Sequence, residues 1–266
     1  MHTLLKTFLC SLLAIVIAFE GTAATTADSL TVQTAAVKRD SLPRDPYEYK
    51  FNAKQIILPA ALVAVGGFGV SNGWFCKMKG KLNDKISDWR GDHYFHHDDW
   101  IQYAPIVAYV GMGAVGIKSK HRIVERLLAG ATAYAAMGIM TNVTKLAVDE
   151  KRPDSGALNS FPSGHTATAF MGAELIRLEY GTPFAIGAYT VATGIAFLRL
   201  YNSRHWLNDV LAGAGIGILS ARIGYWMLPL YQKWFKLNKP DSPIVAGLPY
   251  YSPMDRSGGL AVNIVF

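Results

Sequence analysis

Six long apolar stretches dominate the chain and limit the folds that it can adopt. They cover residues 55–72, 101–117, 127–147, 166–180, 184–201 and 208–229. Several approach the roughly 20 residues that a helix needs to cross the hydrocarbon core of a bilayer. Hydrophobic residues make up 51% of the chain and charged residues only 17%, which is apolar for a soluble protein. The sequence therefore predicts an all-α, multi-helix transmembrane bundle of about five to six helices.

Two of these stretches contain features that indicate how the helices pack. Glu174 and Arg177 lie one helical turn apart, so they can pair on one face. Charges inside such a segment usually face the interior of a bundle and not the lipid. The run Ala212–Gly217 consists almost entirely of small residues and predicts a close helix–helix contact.

The N-terminus has the layout of a secretory signal peptide. Lys6 precedes an apolar core at 8–19, and small residues at 21–24 offer a cleavage site. An uncleaved anchor helix is the alternative. We predict a signal peptide over residues 1–23.

The rest of the chain divides into three parts by composition. Residues 24–53 are polar and form a linker without a core of its own. Residues 54–230 contain the apolar stretches and form the membrane domain. The tail, 231–266, contains two short strand-like runs around 255–259 and is predicted to be β-like.

The charge and the cysteines exclude some classes of function. A net charge of +7 is compatible with nucleic acid, anionic lipid or an anionic substrate. No basic cluster with interleaved aromatic residues is present, so we predict no nucleic-acid partner. The two cysteines are Cys10 and Cys76, and loss of the signal peptide would leave one of them without an internal disulfide partner.

Three short patches hold the polar residues that are unusual in such an apolar chain. In "KLAVDEKRP", Lys145 and Arg152 lie seven residues apart and can share a helix face before Pro153 stops the helix. The second patch is "PSGH" at 162–165, a turn followed by a helix. The third patch is "RLYNSRHWLND", in which Arg199 precedes His205 by six residues. Asp209 follows His205 by four residues, so on a helix its carboxylate would lie one turn from the imidazole.

The cations of these patches suit a phosphate group. Lys145, Arg152 and Arg199 would repel one another unless an anion sat between them. Arginine binds phosphate oxygens through two parallel N–H hydrogen bonds, and lysine adds a point charge. The backbone N–H groups of Ser163 and Gly164, ahead of a helix N-terminus, would add further donors.

The two histidines then supply a nucleophile and an acid. Asp209 can fix the tautomer and orientation of His205, which makes His205 the better nucleophile. His165 remains to protonate the leaving oxygen. Such a site needs no metal and no other cofactor, because the cations already stabilise the charge of the transition state.

Together the three patches resemble the type 2 phosphatidic acid phosphatase superfamily, which also includes bacterial acid phosphatases and vanadium haloperoxidases. Its first motif, lysine, six residues and Arg-Pro, matches 145–153, and its Pro-Ser-Gly-His matches 162–165. Its third motif, Ser-Arg, five residues, His, three residues and Asp, matches 199–209, but Leu198 stands where the serine usually is. The resemblance covers roughly residues 55–230.

The resemblance implies a fold, an activity and roles for the site residues. His205 would form a phosphohistidine with Asp209 as its partner, and His165 would be the acid. The residues that it implies for phosphate binding are Lys145, Arg152, Ser163, Gly164 and Arg199.

From the apolar helices and this resemblance we predict a membrane lipid phosphatase in a bacterial cell envelope. The motifs recognise the phosphate group and not the lipid attached to it. The candidate substrates are therefore lipid A, a polyprenyl diphosphate, phosphatidylglycerophosphate and phosphatidic acid. The alternatives are a non-specific periplasmic acid phosphatase of the same superfamily, a haloperoxidase that holds vanadate, and a membrane protein that is not an enzyme.

The stretch "GDHYFHHDDW" allows two interpretations. His93 and His97 lie four residues apart with Asp98 and Asp99 beside them, which is compatible with a metal site. The spacing lacks a full ligand set, so we favour a loop before the helix at 101 that is either solvated or at the level of the lipid headgroups, where it can touch the substrate. The aromatic residues around it suit a membrane interface: Trp89, Trp100 and Tyr103.

The charges of the loops predict an orientation and raise a conflict. The basic loop 118–126 should be cytoplasmic, and Lys233, Lys236 and Lys239 after the last apolar stretch agree with it. All three patches then face the periplasm. A cleaved signal peptide followed by six full spans would reverse this order. Either 55–72 does not cross fully, which we prefer because it is short and rich in glycine, or residues 1–20 are not a signal peptide.

Overall fold

The structure is a computed structural model that describes residues 51–235, Leu237, 244–252 and 257–265. The predicted signal peptide and almost all of the predicted linker lie outside these residues. The helices and strands of the described part follow in chain order: α1 Lys54–Ser71, α2 Gly73–Arg90, α3 Asp98–Ile101, α4 Ala104–Gly111, α5 Ile123–Ala147, α6 Gly164–Tyr180, α7 Thr182–Tyr201, α8 Leu207–Trp226, α9 Leu228–Trp234, β1 Ile244–Ser252 and β2 Ser257–Val265.

Helices α6 and α8 form the centre of the bundle. Most residues of both helices are buried, and α6 packs against α4, α5, α7 and α8. Small residues permit this approach: a Cβ on Gly217 would overlap the carbonyl oxygen of Ala167, and one on Gly213 would lie 2.5 Å from the carbonyl oxygen of Ser163. The close contact predicted for Ala212–Gly217 is therefore confirmed.

The buried charges of α6 are paired inside the bundle. The Glu174 carboxylate is fully buried and accepts hydrogen bonds from Nε of Arg177 (2.6 Å) and Nε of Arg222 (2.6 Å). The Tyr189 hydroxyl donates to the same carboxylate at 2.6 Å. This confirms the predicted pairing of Glu174 with Arg177, and it also confirms that the pair faces protein and not lipid.

Apolar side chains on the outer helices face outwards. Phe68 on α1, Ile139 on α5 and Ile186 on α7 are each about half exposed or more. In the part of the chain that the structure describes, four helical segments are long and apolar enough to cross a membrane: Lys54–Ser71, Ile123–Ala147, Thr182–Tyr201 and Leu207–Trp234. The predicted all-α membrane bundle is thus confirmed, and the chain is an integral membrane protein.

We expected 55–72 to be the apolar stretch that is too short and broken to cross the membrane, but the structure has its shortest main helix within 101–117. The stretch 55–72 forms one continuous helix, whereas within 101–117 the main helix, α4, has eight residues and rises only about 12 Å. The glycines of α1 do not break it, because Gly66 and Gly69 lie where α1 packs on Asn208 and Ala212 of α8. Our preference for 55–72 as the segment that fails to cross was based on a wrong interpretation of these glycines.

Two further elements complete the described part. Helix α2 is amphipathic and begins after Asn72, whose side chain caps its N-terminus. Its Lys79 and Arg90 are buried in the bundle. This helix was not predicted from the sequence, because the segment is not an apolar stretch. The tail forms an antiparallel hairpin in which Ile244 pairs with Val265 and Ser252 with Ser257. This is the β-like tail that the sequence predicts.

Candidate functional site

The chain folds so that the three polar patches meet at one end of the bundle. Lys145 lies in the last turn of α5, and His165 in the first turn of α6. Arg199 lies in the last turn of α7, and Asp209 in the first turn of α8. Because successive helices run in opposite directions, these four ends lie together. The basic loop 118–126 is at the opposite end of α5.

His205 lies in the loop between α7 and α8, where only 2% of its surface is exposed. Its Nδ1 atom faces Oδ2 of Asp209 at 3.4 Å and has no hydrogen-bond partner in the described part of the chain. The same Oδ2 accepts hydrogen bonds from the Ser160 hydroxyl (2.5 Å) and the Trp206 backbone N–H (2.8 Å). Asp209 is therefore held firmly beside the imidazole of His205.

The surroundings of His205 keep its imidazole neutral. Burial lowers the pKa of His205 well below the usual 6.5, and the positive charges of Arg199, Arg152 and Lys145 lower it further. These are the three cations that the sequence assigned to phosphate. A neutral imidazole has a lone pair for attack, so the cations that would bind an anion also favour the nucleophilic form of His205.

Lys145 and Arg152 do not share a helix face, as their spacing had suggested. Helix α5 ends at Ala147, and Arg152 lies in the following loop, where its N–H donates to the carbonyl of Ala157 at 2.9 Å. Asn159 brings the two cations together instead. Nζ of Lys145 donates to the Asn159 carbonyl (2.6 Å), and Nε of Arg152 donates to Oδ1 of Asn159 (2.7 Å).

The turn at 162–165 differs from the predicted phosphate cradle in one respect. The N–H of Ser163 donates to the backbone carbonyl of Asp209 at 3.0 Å, so this donor connects α6 with α8. Ser163 is fully buried, and its hydroxyl accepts a hydrogen bond from the Thr166 hydroxyl at 3.0 Å. Gly164 is partly exposed at the start of the 17-residue helix α6, so it remains the candidate donor at this turn.

Two aspartates of the "GDHYFHHDDW" stretch reach the site. Nη1 of Arg199 donates to Oδ2 of Asp98 at 2.5 Å and to Oδ1 of Asp99 at 3.4 Å. Oδ1 of Asp99 also lies 2.7 Å from Nε2 of His165. Among the described residues, no group of three or more histidine, cysteine, aspartate and glutamate side chains is arranged to hold a metal ion. The two aspartates instead contact the arginine and the histidine of the site.

A buried ion pair lies behind Asp209. Lys79 of α2 pairs with Glu150, and Nδ2 of Asn208 donates to Oε2 of Glu150 (2.7 Å) and to Oδ1 of Asp209 (3.2 Å). Burial and the negative charge of Asp209 raise the pKa of Glu150 to about 7. Sequence reasoning missed this pair, because Lys79 sits among other lysines and is 71 positions away from its partner.

A cavity of about 220 Å³ opens beside the site. Charged side chains dominate its lining, and Asp99, Arg152 and Arg199 are shared with the groups described above. The remaining lining residues are Tyr94, Phe95, His96, Asp98, Asn202 and Arg204. Arg152 and Arg199, two of the three cations that the sequence assigns to phosphate, therefore line this cavity.

Known proteins resemble the part of the chain that contains the site. Residues 126–233 match the PAP2 superfamily. The lipid A 1-phosphatase of Porphyromonas gingivalis is 40% identical over 157 residues, which are 56% of this chain and 35% of that protein. This chain thus matches about a third of that relative's length.

A solved structure is also similar. It is that of a transmembrane PAP2 type phosphatidylglycerolphosphate phosphatase from Bacillus subtilis, with 19% identity and a TM-score of 0.33. The likeness covers 74% of this chain and 93% of that one. At this TM-score it adds nothing to the assignment, which depends on the sequence matches and on the site.

Proposed function

We propose that this chain, whose residues 126–233 match the PAP2 superfamily, is a membrane lipid phosphatase of that superfamily. The observation that supports this most is the environment of His205, a buried imidazole with a carboxylate on one side and three cations around it. A nucleophile, its orienting partner and an anion-binding set occur together there at one end of a membrane bundle.

The reaction would begin with phosphate bound between Lys145, Arg152 and Arg199. Nε2 of His205 attacks the phosphorus atom while Asp209 stabilises the imidazolium that forms. The bond from phosphorus to the lipid oxygen breaks, its electron pair stays on that oxygen, and His165 supplies the proton. Water then attacks the phosphorus atom of the phosphohistidine and gives a proton back to His165. The bond from phosphorus to Nε2 breaks, its electron pair returns to Nε2, and inorganic phosphate leaves.

The apolar helices and the sequence relative support the proposed substrate class. The cavity opens at the end of apolar helices, so a substrate whose tails stay in the bilayer brings its phosphate to the site. The relative named lipid A 1-phosphatase makes lipid A the first substrate to test. The other candidates are a polyprenyl diphosphate, phosphatidylglycerophosphate and phosphatidic acid.

Phosphate release from these four lipids tests the proposal. The full chain, purified in detergent micelles, should release phosphate from at least one of them with a kcat/KM well above that for a soluble ester such as glycerol phosphate. A clear preference for soluble esters would favour the non-specific acid phosphatase. Release from none of the substrates, by a folded protein, would contradict the proposal.

Activity should persist in EDTA and be inhibited by vanadate. The cations of Lys145, Arg152 and Arg199 supply the charge stabilisation that a metal gives in other phosphatases, and vanadate oxygens can occupy the same positions. The measurement is phosphate release with and without each reagent. Activity that returns only after a divalent ion is added would instead favour a metal at the histidine-rich loop.

We infer that the site faces the periplasm of a bacterial cell envelope. The end of α5 opposite Lys145 carries the short basic loop 118–126, and short loops rich in lysine and arginine remain cytoplasmic. Lys233 follows α8 at that same end.

Cysteine labelling tests this orientation. Lys118 and Ser155 are both exposed and lie at opposite ends of the bundle. With Cys10 and Cys76 replaced by serine, a membrane-impermeant maleimide should label Ser155→Cys in intact spheroplasts and Lys118→Cys only after lysis. The reverse pattern would place the site in the cytoplasm.

A further inference from the structure

Asp99 is exposed to solvent, yet it is bonded to a site histidine. Its side chain is 65% exposed, while its Oδ1 lies 2.7 Å from Nε2 of His165 and 3.4 Å from Nη1 of Arg199. Exposed ion pairs are worth little for stability, because water competes with them. The contact between Asp99 and His165 therefore needs an explanation other than holding the fold together.

The loop that presents Asp99 is held in place by other residues. The neighbouring Asp98 is buried, and its Oδ2 accepts from Nη1 of Arg199 (2.5 Å) and from Nδ2 of Asn202 (3.2 Å). Asn202 also pairs with the backbone of Phe95 through two hydrogen bonds, of 3.1 and 2.7 Å. Asp98 and Asn202 thus fix the loop, and Asp99 is left with its carboxylate beside His165.

The charges around His165 oppose one another. Burial lowers the pKa of His165 below the usual 6.5, and the positive charge of Arg199 lowers it further. The carboxylates of Asp99 and Asp98 act in the opposite direction. The charges of His205 and His165 also act on each other, and the positive charge of Arg204 acts on Asp99. An acid must carry its proton when the lipid oxygen leaves, so the carboxylates favour the form that the reaction needs.

We propose that Asp99 is a positioning residue that holds His165 through Nε2, favours the charged form of its imidazole and directs Nδ1 towards the leaving oxygen. This inference rests on the proposed function. Nδ1 of His165 has no hydrogen-bond partner among the residues that the structure describes, so this nitrogen is available to the substrate. The site then contains two carboxylate–imidazole pairs, Asp209 with His205 and Asp99 with His165.

The proton balance follows from this arrangement. The Nδ1 proton of the charged His165 moves to the lipid oxygen as the P–O bond breaks, and the neutral ring keeps its Nε2–H bonded to Asp99. When water attacks the phosphohistidine, its proton moves to Nδ1 and restores the charged ring. Asp99 stays ionised throughout, because it accepts a hydrogen bond in both states.

The first test is the titration of His165 itself, which does not depend on activity. The full chain in micelles is labelled with [13Cε1]histidine, and the His165 signal is identified by its loss in His165→Gln. We expect the midpoint of this titration to fall by about one pH unit in Asp99→Asn and to recover in Asp99→Glu. The control is Asp92→Asn, an exposed aspartate of the same loop, which should leave the midpoint unchanged.

The second test is the pH profile of kcat/KM on a lipid phosphate monoester. Activity needs protonated His165, so it is lost as pH rises through the pKa of this residue, and the alkaline limb should move to lower pH in Asp99→Asn. Asp99→Glu should restore the limb, and Asp92→Asn should not move it. An aryl phosphate, which needs little acid assistance, should show a much smaller change.

These measurements separate the two proposals. A His165 midpoint that is the same in Asp99→Asn and the parent chain would overturn the role of Asp99, whatever the activity. A midpoint that falls, together with no phosphate release from any lipid by the parent chain, would support the contact and contradict the phosphatase. A uniform loss of activity with an unmoved alkaline limb would mean that Asp99 serves only the structure of the loop.

Discussion

His205→Ala should lower turnover by at least about 10⁴-fold on every substrate, equivalent to about 5.4 kcal/mol in the activation barrier. The variant lacks the atom that attacks phosphorus, which lies on the ring beside Asp209 that the three cations act on. Water attack on the bound phosphate would leave only the contribution of the cations. The measurement is phosphate release by the full chain in micelles.

The controls separate loss of chemistry from loss of fold. His205 is buried, so removing its ring leaves a cavity that can destabilise the loop between α7 and α8. The variant should still elute as a single species, although the cavity lowers its melting temperature relative to the parent. His93→Ala removes an exposed histidine outside the site and should keep full activity. Turnover by His205→Ala within a few fold of the parent would refute the nucleophile.

The fold class could be predicted from the sequence because it depends on composition along the chain. Apolar runs near the length of a bilayer specify membrane helices, and the small residues of 212–217 specify close packing. Helix α2 was missed because the prediction relied on apolar runs, and the lysines of this helix interrupt the apolar residues on its buried face. The glycines of α1 misled us, because sequence does not show whether a glycine breaks a helix or lets another helix approach.

The candidate site was predictable where its members are close in sequence. His205 and Asp209 are four residues apart, and the short turn that leads into α8 brings them together. The partners that arrange the site come from far along the chain: Lys79 meets Glu150 across 71 positions, and Asp99 meets His165 across 66. Such pairings depend on how the helices pack, and no local pattern encodes them.

Two local predictions failed at the ends of helices. The seven-residue spacing of Lys145 and Arg152 suggested one helix face, but α5 ends at Ala147 and Asn159 joins the two cations instead. The Ser163 N–H was expected to face phosphate, but it bonds the first turn of α8. In both cases a tertiary hydrogen bond took the place of the local geometry that sequence spacing assumes.

His165→Ala should show a loss that depends on the leaving group. A poor leaving group, such as a sugar or glycerol alkoxide, needs a proton as the P–O bond breaks, and such assistance is worth about 10²–10⁴-fold. A good one, such as p-nitrophenolate, leaves with little assistance. We therefore expect His165→Ala to lose about 10²-fold or more on a lipid phosphate monoester and much less on an aryl phosphate.

The comparison with His205→Ala makes this result specific. Every substrate needs the nucleophile, so His205→Ala should lose activity alike on both substrates. His165 is 26% exposed, so its removal disturbs packing less than removal of the buried His205. Equal losses of His165→Ala on the two substrates would mean that this histidine only positions phosphate. The turn at 162–165 would then be a binding loop, Asp99 would orient a binding residue, and another group would have to protonate the lipid oxygen.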